Sequence, residues 1–334
     1  MFRILYDTHV DFLAMRRWAY GLSAAFVLVG VAFLALRGLN QSIEFTGGTL
    51  VQVTGRTAEV TDGAIRSALE AAGLVGSEIQ SFGAPNEFVI RARLDPRASG
   101  AGTTQETAGA VGDALTAAFG SEGFEITRTE AVGPKVGGEL RQRAVMAVLL
   151  AFGATMLYLW FRFEWRFALA AILATMYDIG ATIAFIAMLD LEISLVVVGA
   201  VLTIIGYSLN DKIVNFDRVR ENLNKYRRED FAGLLNRSIN EVLPRTVMTG
   251  GGTIVAIISL LIFGGAVIRD FAWVMNFGII TGTFSSIYIA APILMAIEHR
   301  WPGENARGVK AAPPVARAPT PVLPSGRRAP ADRQ

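Results

Sequence analysis

Cysteine is absent from all 334 residues. That excludes disulfides, Cys-ligated zinc, iron–sulfur clusters and a cysteine nucleophile. Histidine is scarce, and His9 and His299 stand near opposite ends of the chain. A histidine metal site or a Ser-His-Asp triad has no basis in such a pair. Charge is sparse as well: 18% of residues are charged and the net charge is +2, so no broad basic surface for nucleic acid is indicated. "TGGGT" (249–253) carries glycines without the Lys-Ser/Thr that completes a phosphate loop, and reads as helix packing. These absences predict a protein without cofactor or metal, and no hydrolytic or redox enzyme.

What is present is apolar. Hydrophobic residues make up 52% of the chain, and the mean hydropathy is +0.42. A soluble domain is seldom so apolar and so weakly charged. Six stretches approach the roughly 20 apolar residues a bilayer requires. They fall at 18–36, 143–161, 167–188, 193–212, 246–266 and 271–297. The first follows "MRRW" and is too long for a signal-peptide core, so it reads as a retained anchor. The fold class is therefore an α-helical polytopic membrane protein of six spans with one inserted domain.

Lys and Arg in the short loops predict the orientation. Arg3, Arg16 and Arg17 precede the first span, and "FRFEWRF" between the second and third carries Arg162 and Arg166. Segment 212–245 holds eight basic residues, whereas "LDLEI" (189–193) has Asp190 and Glu192 and none. The alternation places both termini in the cytoplasm and 38–141 on the periplasmic side. Trp18, Trp160 and Trp165 sit at span ends, as interfacial aromatics do. The division expected is a cytoplasmic 1–17, a first span over 18–37, a periplasmic domain over 38–141, spans two to six over 142–299 with a cytoplasmic segment 213–245, and a tail over 300–334. The tail is rich in Pro, Ala and Arg and reads as disordered and solvated, with contact to anionic lipid or ribosomal RNA as the alternative.

Residues 38–141 alternate strand and helix signals. "TLVQVT" (49–54), "EIQSFG", "EFVIRARL" and "GFEITRTEAV" read as strands; "TDGAIRSALEAAG" (61–73) and "TTQETAGAVGDALTAAFG" (103–120) read as helices. The order β-α-β-β-α-β is the split ferredoxin-like arrangement, a fold that names no function. Gly47 and Gly48 on one side, and Gly137 and Gly138 in "VGPKVGGEL" (132–140) on the other, bracket the domain. They read as turns joining the domain to its stalks, or as hinges.

Charge inside the spans is the informative anomaly. Asp178 falls near the middle of the third span, where an acid costs about 2.5–3.5 kcal/mol on the insertion scale. The apolar run of the fourth span reaches Asn210, Asp211 and Lys212, and resumes with Ile213, Val214 and Phe216. Asp211 is interfacial if the helix ends at 212 and well inside if it continues. On a helix Tyr207, Ser208, Asp211 and Asn215 share a polar stripe. Arg245 follows Pro244, which reads as the first turn of the fifth span. Asn276, Thr283 and Ser286 form a weaker stripe on the sixth. Singly these are an interfacial residue, a positive-inside anchor and a hydrogen-bonding post. Together they point to a coupled ionisable site, for which proton coupling is the simplest use.

The motifs closely resemble those of the SecF family, membrane subunits of the bacterial protein-export machinery. "IEFTGGTLVQV" (43–53), "VGPKVGGEL", "GYSLNDKIVNFDRVREN" (206–222), "LNRSINEVLPRTVMT" (235–249) and "GGAVIRDFAWVMNFGIITGTFSSIYIA" carry the likeness over about residues 1–300. The resemblance implies an RND-related fold, a SecD-like partner, attachment to the SecYEG translocon, often with YajC, and residence in the bacterial inner membrane. It implies a role in late translocation of unfolded polypeptides, driven by the proton-motive force. Asp211 and Arg245 match family residues implicated in proton coupling, and Asp211 is expected to alternate between a charged state paired with Arg245 and a neutral, protonated one. Asp178 matches a family carboxylate often preceded by His. Here Tyr177 precedes it, which removes a titratable neighbour and weakens a His–Asp relay. Lys212 stands where the family has a small polar residue, and is expected to act on Asp211. The alternatives are an assembly factor of the translocon that carries no protons, and a stand-alone exporter, which a single six-span repeat disfavours.

Overall fold

The computed structural model describes residues 8–74, 77–81, 86–92, 104–226 and 229–302. Arg3 and the tail beyond Pro302, both used above, lie outside them. Among the described residues six helical segments are long and apolar enough to cross a membrane. They are Arg16–Arg37 (α1), Lys135–Arg162 within α5 (Pro134–Arg162), Trp165–Met188 (α6), Leu195–Lys225 (α7), Phe231–Phe263 (α8) and Ile268–Arg300. The last is α9 (Gly265–Ser285), a π turn at Ser286–Ala290 and α10 (Ala291–Arg300) in succession.

Two helices run well past their expected limits. α7 does not end at 212 but continues to Lys225, burying Phe216, Val219 and Asn222 beyond Lys212. Asp211 is therefore mid-helix. α8 begins at Phe231, not at 246, because the Asp230 side chain caps it by accepting from the Gly233 N–H at 3.1 Å. Pro244 thus lies inside α8 rather than in its first turn. It removes one helical N–H, while Leu234, Leu235, Ile239 and Val242 hold the segment by burial.

α6 forms the centre of the bundle. Its alanines Ala168, Ala170, Ala171, Ala174, Ala181 and Ala184 are buried and let neighbours approach closely. A Cβ on Gly30 of α1 would lie 2.1 Å from Ala184 Cβ, and one on Gly278 of α9 only 2.2 Å from Ile204 Cδ1 on α7. α5 and α8 line the outside, with Leu149, Leu150, Leu157, Val255 and Ile262 exposed.

Between α1 and α5 sits the α+β domain. Helix α2 (Ile43–Thr46) leads into β1 (Gly48–Gly55), then α3 (Asp62–Ala71), β2 (Glu78–Ser81), β3 (Glu87–Ala92), α4 (Thr104–Phe119) and β4 (Phe124–Val132). The sheet order is β2-β3-β1-β4 with every neighbour antiparallel, which is the ferredoxin-like order. Val51 and Val53 of β1, Ile65 and Leu69 of α3, Ile90 of β3, and Val111 and Leu115 of α4 form its core. The expected strands and helices are all present, with bounds that differ by a residue or two; β1 is a residue longer at each end, and Phe82, Gly83, Arg93, Leu94 and Thr103 lie outside the described residues.

The bracketing glycines do different work. Gly47 closes α2 at φ 74° and Gly48 opens β1 at φ 142°, conformations that side chains seldom adopt. Gly137 is a packing residue: a Cβ there would sit 2.9 Å from the Gly47 nitrogen. Gly138 has open space around it.

The domain is fastened to the bundle at the α6–α7 loop. Gln41 bridges Ile193 in parallel, with Ile193 N–H donating to the Asn40 carbonyl at 2.8 Å and Ser42 N–H to the Ile193 carbonyl at 3.0 Å. Glu44 accepts from the Leu195 N–H at 2.6 Å, placing a carboxylate at the N-terminus of α7. Arg91 of β3 pairs with Glu192, whose N–H donates to Asp270 at 3.0 Å. Burial lifts the Glu192 carboxyl above the usual glutamate value of 4.5, more than Arg91 lowers it.

Candidate functional site

Three helices and the π turn converge on the middle of α7. Asp178 of α6 and Lys212 of α7 form an ion pair at 2.6 Å, and both side chains are completely buried. The Ser208 hydroxyl, one turn before Lys212, donates to the same Asp178 oxygen and accepts from the ammonium. The other oxygen of Asp178 has no hydrogen-bond partner among the described residues. Two charges at this depth each lose several kcal/mol of hydration, which their mutual attraction only partly offsets. The sequence keeps them despite that cost.

Asp211 occupies the adjacent sector of α7, turned toward α8 and the sixth span. Thr246 of α8 donates its hydroxyl to one carboxyl oxygen at 2.8 Å, and Ser286 contacts the other. The Ser286 oxygen also lies 2.9 Å from the Thr283 carbonyl. Ser286 stands at the first position of the π turn, directly after α9. A π turn shifts the positions that follow it around the axis, and such turns recur at functional sites. Pro292, at the start of α10, is a second local reason for irregular winding here.

The expected ion pair between Asp211 and Arg245 is not formed in this structure. Thr246 turns inward while Arg245, about 100° round the helix from it, is exposed. Arg245 lines an open cavity of about 1060 Å³ between α7, α8 and the segment Thr8–Asp11. Val214, Arg218, Glu241, Val242 and Pro244 share the lining. Lys212 acts on Asp211 through its charge, as expected, but its ammonium is paired with Asp178, so Asp178 does have a titratable partner. The residue identity was visible in the sequence. Neighbours on a helix point about 100° apart, so the lysine that directly follows Asp211 in the chain reaches Asp178 of α6.

The supporting stripe divides likewise. Ser208 belongs to the Asp178 sector, Tyr207 is half-buried toward Gly250 of α8, and Asn215 is buried one turn below Asp211. Asn210 faces outward and Asn276 bonds its own helix through the Ala272 carbonyl at 3.0 Å, so neither joins the cluster. Thr246 escaped the sequence reading, its only signal being its place beside Arg245. Ser286 had been visible as part of the weak sixth-span stripe. Gly278 and Gly282 of α9 pack on Ile204 and Ser208 of this same chain.

The architecture defines a polytopic membrane protein with a ferredoxin-like domain inserted after its first span and ionisable side chains held inside the bundle. The family model described as protein export membrane protein SecD/SecF, C-terminal, matches residues 111–300, and the SecD/SecF GG motif matches 32–59. The chain belongs to the SecD/SecF family. It is 50% identical over 324 residues to the protein translocase subunit SecF of Gemmatimonas aurantiaca, covering 93% of this chain and 95% of that one. To the SecF subunit of Escherichia coli O157:H7 it is 35% identical over 292 residues, 86% of this chain and 87% of that one. The crystal structure of SecDF from Thermus thermophilus, a translocon-associated membrane protein, superposes with a TM-score of 0.78 at 35% identity. That match covers 90% of this chain but 40% of the SecDF chain, so this chain spans less than half of that protein.

Proposed function

We propose that this chain is an auxiliary subunit of the Sec protein translocase. With a SecD-like partner it uses the proton-motive force to promote late translocation and release of polypeptides across the inner membrane. The SecF relatives and the SecDF likeness support the translocase role. The observation that carries the proton step is Asp211: a carboxyl in the middle of a spanning helix, held by two hydroxyls on two other segments, one turn from a wide charged cavity that contains Arg245. A group so placed changes its charge when it binds or releases a proton, and the packing of α7 against α8 and the π turn changes with it. The beginning of α7 is held by Glu44, so motion of that helix reaches the sheet domain directly. Arg245 is read as the cation that Asp211 meets in another state, and Asp178 as a second ionisable member.

SecYEG, with or without YajC, is the expected docking partner, and unfolded polypeptide the substrate. Both termini are assigned to the cytoplasm and 38–141 to the periplasm. The bundle supports this: Arg162–Asp217 and Arg166–Glu298 ion pairs gather at one end, and the sheet domain meets the acidic α6–α7 loop at the other. Labelling of Ser121→Cys from outside and His299→Cys from inside checks the assignment; the reverse pattern overturns it.

The decisive experiment is export of a preprotein into inverted vesicles with and without an imposed gradient. Asp211→Asn keeps the volume and removes the titration. It is expected to insert and assemble, and to lose the stimulation by the gradient. Retained stimulation replaces this reading by a translocon assembly factor that carries no protons.

A further inference from the structure

The buried cluster contains two carboxyls and one ammonium, and one lysine cannot neutralise both. We propose that Lys212 is the shared counter-charge of Asp178 and Asp211, and that it transfers from Asp178 to Asp211 when Asp211 gives up its proton. The proposal rests on the proton-coupling reading above and adds to it a positioning residue.

The hydrogen bonds assign the state in this structure. Ser208 has one hydroxyl proton and accepts from Lys212, so it donates to Asp178, which is therefore the ionised partner of the ammonium. Ser286 also has one proton, but its oxygen touches two acceptors, the Thr283 carbonyl and Asp211. A carbonyl can only accept. The arrangement is satisfied when Ser286 donates to Thr283 and Asp211, protonated, donates to Ser286. Charge then balances: Lys212 offsets Asp178, and Asp211 is neutral.

Loss of the proton upsets that balance. A buried carboxylate held by Thr246 and Ser286 alone is short of counter-charge. Other ionisable groups on the packed elements include Tyr177 of α6, Tyr207 of α7, Arg245 of α8, Tyr288 of the π turn and, on α5, Arg162, which is paired with Asp217. Arg245 opens onto the cavity in this structure and is left to meet Asp211 in a later state. Lys212 adjoins Asp211 in the chain and carries a flexible four-carbon stem with three donors. Its hold on Asp178 is incomplete: one Asp178 oxygen lacks a partner, and the third Lys212 contact, to the Ser208 carbonyl, is long at 3.5 Å. When the ammonium moves, Asp178 takes up a proton as Asp211 releases one. The cluster stays neutral in both states, with one proton shared by two carboxyls.

The test is the pH profile of gradient-driven export, measured with the full chain in complex with its partner subunit. Lys212→Met removes the counter-charge from Asp211, so half-maximal activity shifts to the alkaline side by on the order of one unit. Asp178→Asn leaves the ammonium to Asp211 alone, and the profile shifts the opposite way. The double variant Asp178→Asn/Lys212→Met follows Lys212→Met, and Lys212→Arg stays near the parent. A merely structural ion pair lowers activity in both single variants and moves neither profile. If Lys212→Met does not accumulate in membranes, Asp178→Asn against Lys212→Arg decides, and an unmoved Asp178→Asn profile overturns the proposal. Retained gradient dependence in Asp211→Asn removes the reading beneath it; loss there, with unmoved profiles here, removes only the role of Lys212.

Discussion

Helix α7 carries charge in its middle and again in its last turns, under opposite conditions. At Lys212 the pair with Asp178 is dry, and both side chains are closed to solvent. Near the C-terminal end, Asp217 meets Arg162 at 3.2 Å with both side chains about two-fifths exposed, and Arg218 bridges Glu221 and Glu241 in the wall of the cavity. The wet pairs are screened and replaceable by water. The dry pair has no substitute, so removing either member leaves the other as an uncompensated buried charge. A helix that merely needed an anchor would manage with the second kind. The first kind makes the bundle sensitive to a single proton.

The contrast is sharpest under truncation. Lys212→Met strands Asp178, and the loss in stability is expected to be about 3–5 kcal/mol, as for a broken buried pair. Asp217→Asn is expected to cost no more than about 1 kcal/mol. Replacing both members with Asp178→Asn/Lys212→Met recovers most of the loss, because no uncompensated charge remains. Thermal unfolding of the detergent-solubilised chain checks the order. Equal losses at Lys212 and Asp217 would show that water reaches the buried site.

Glycines offer a second comparison of interior and exterior. Gly278→Ala drives a methyl to 2.2 Å from Ile204, where α9 crosses α7. Overpacking of this kind costs about 1–3 kcal/mol, and it also moves Ser286 relative to Asp211. Gly252, on the outer side of α8, has nothing within 4 Å of its Cβ position. Gly252→Ala is expected to stabilise the isolated chain by up to about 1 kcal/mol through helix propensity. The same thermal measurement distinguishes them, and destabilisation of the isolated chain by Gly252→Ala would contradict the open setting found here.

How much of this was legible depended on the range of the interaction. Runs of apolar residues near 18–36 and 167–188 needed only local composition, and the helices α1 and α6 lie there. The α+β domain was readable because each element announces itself within ten residues or so: the Thr61 cap before Ile65 and Leu69, the alternation through Val51 and Val53. The ends of α7 and α8 were not, because polar residues such as Asn222 and Ser238 look like loop but are buried between the helices, bonded to each other at 3.0 Å. The site was half legible. Asp178 and Asp211 stood out as acids in apolar surroundings, but pairing is a three-dimensional fact. The pair of Lys212 with Asp178 joins two helices and had no local signal, and Thr246 hid behind Arg245. The fastening of Arg91 to Glu192 joins residues a hundred apart in the chain, and no local pattern signals it.

That fastening gives the smallest and most specific expectation, and compares the bundle's surface end with its interior. Glu192 shares its surroundings with Asp270 and Glu44 as well as Arg91, and burial raises its carboxyl above the ordinary 4.5. The sign follows from linkage. A carboxyl that binds its proton more tightly in the folded state than in the unfolded one contributes its full stability below about pH 4.5. That contribution is lost as the pH rises through the raised folded value. Glu192→Gln cannot titrate, so the difference in unfolding temperature between parent and variant should move against the parent as pH increases across that interval. Arg91→Met removes the cation that lowers Glu192, and should extend the interval upward. The measurement is a set of thermal unfolding curves at stepped pH and constant ionic strength. A parent that gains on Glu192→Gln with rising pH would mean that Arg91 outweighs burial, and that the joint between sheet domain and bundle is held by an ion pair at neutral pH rather than strained by one.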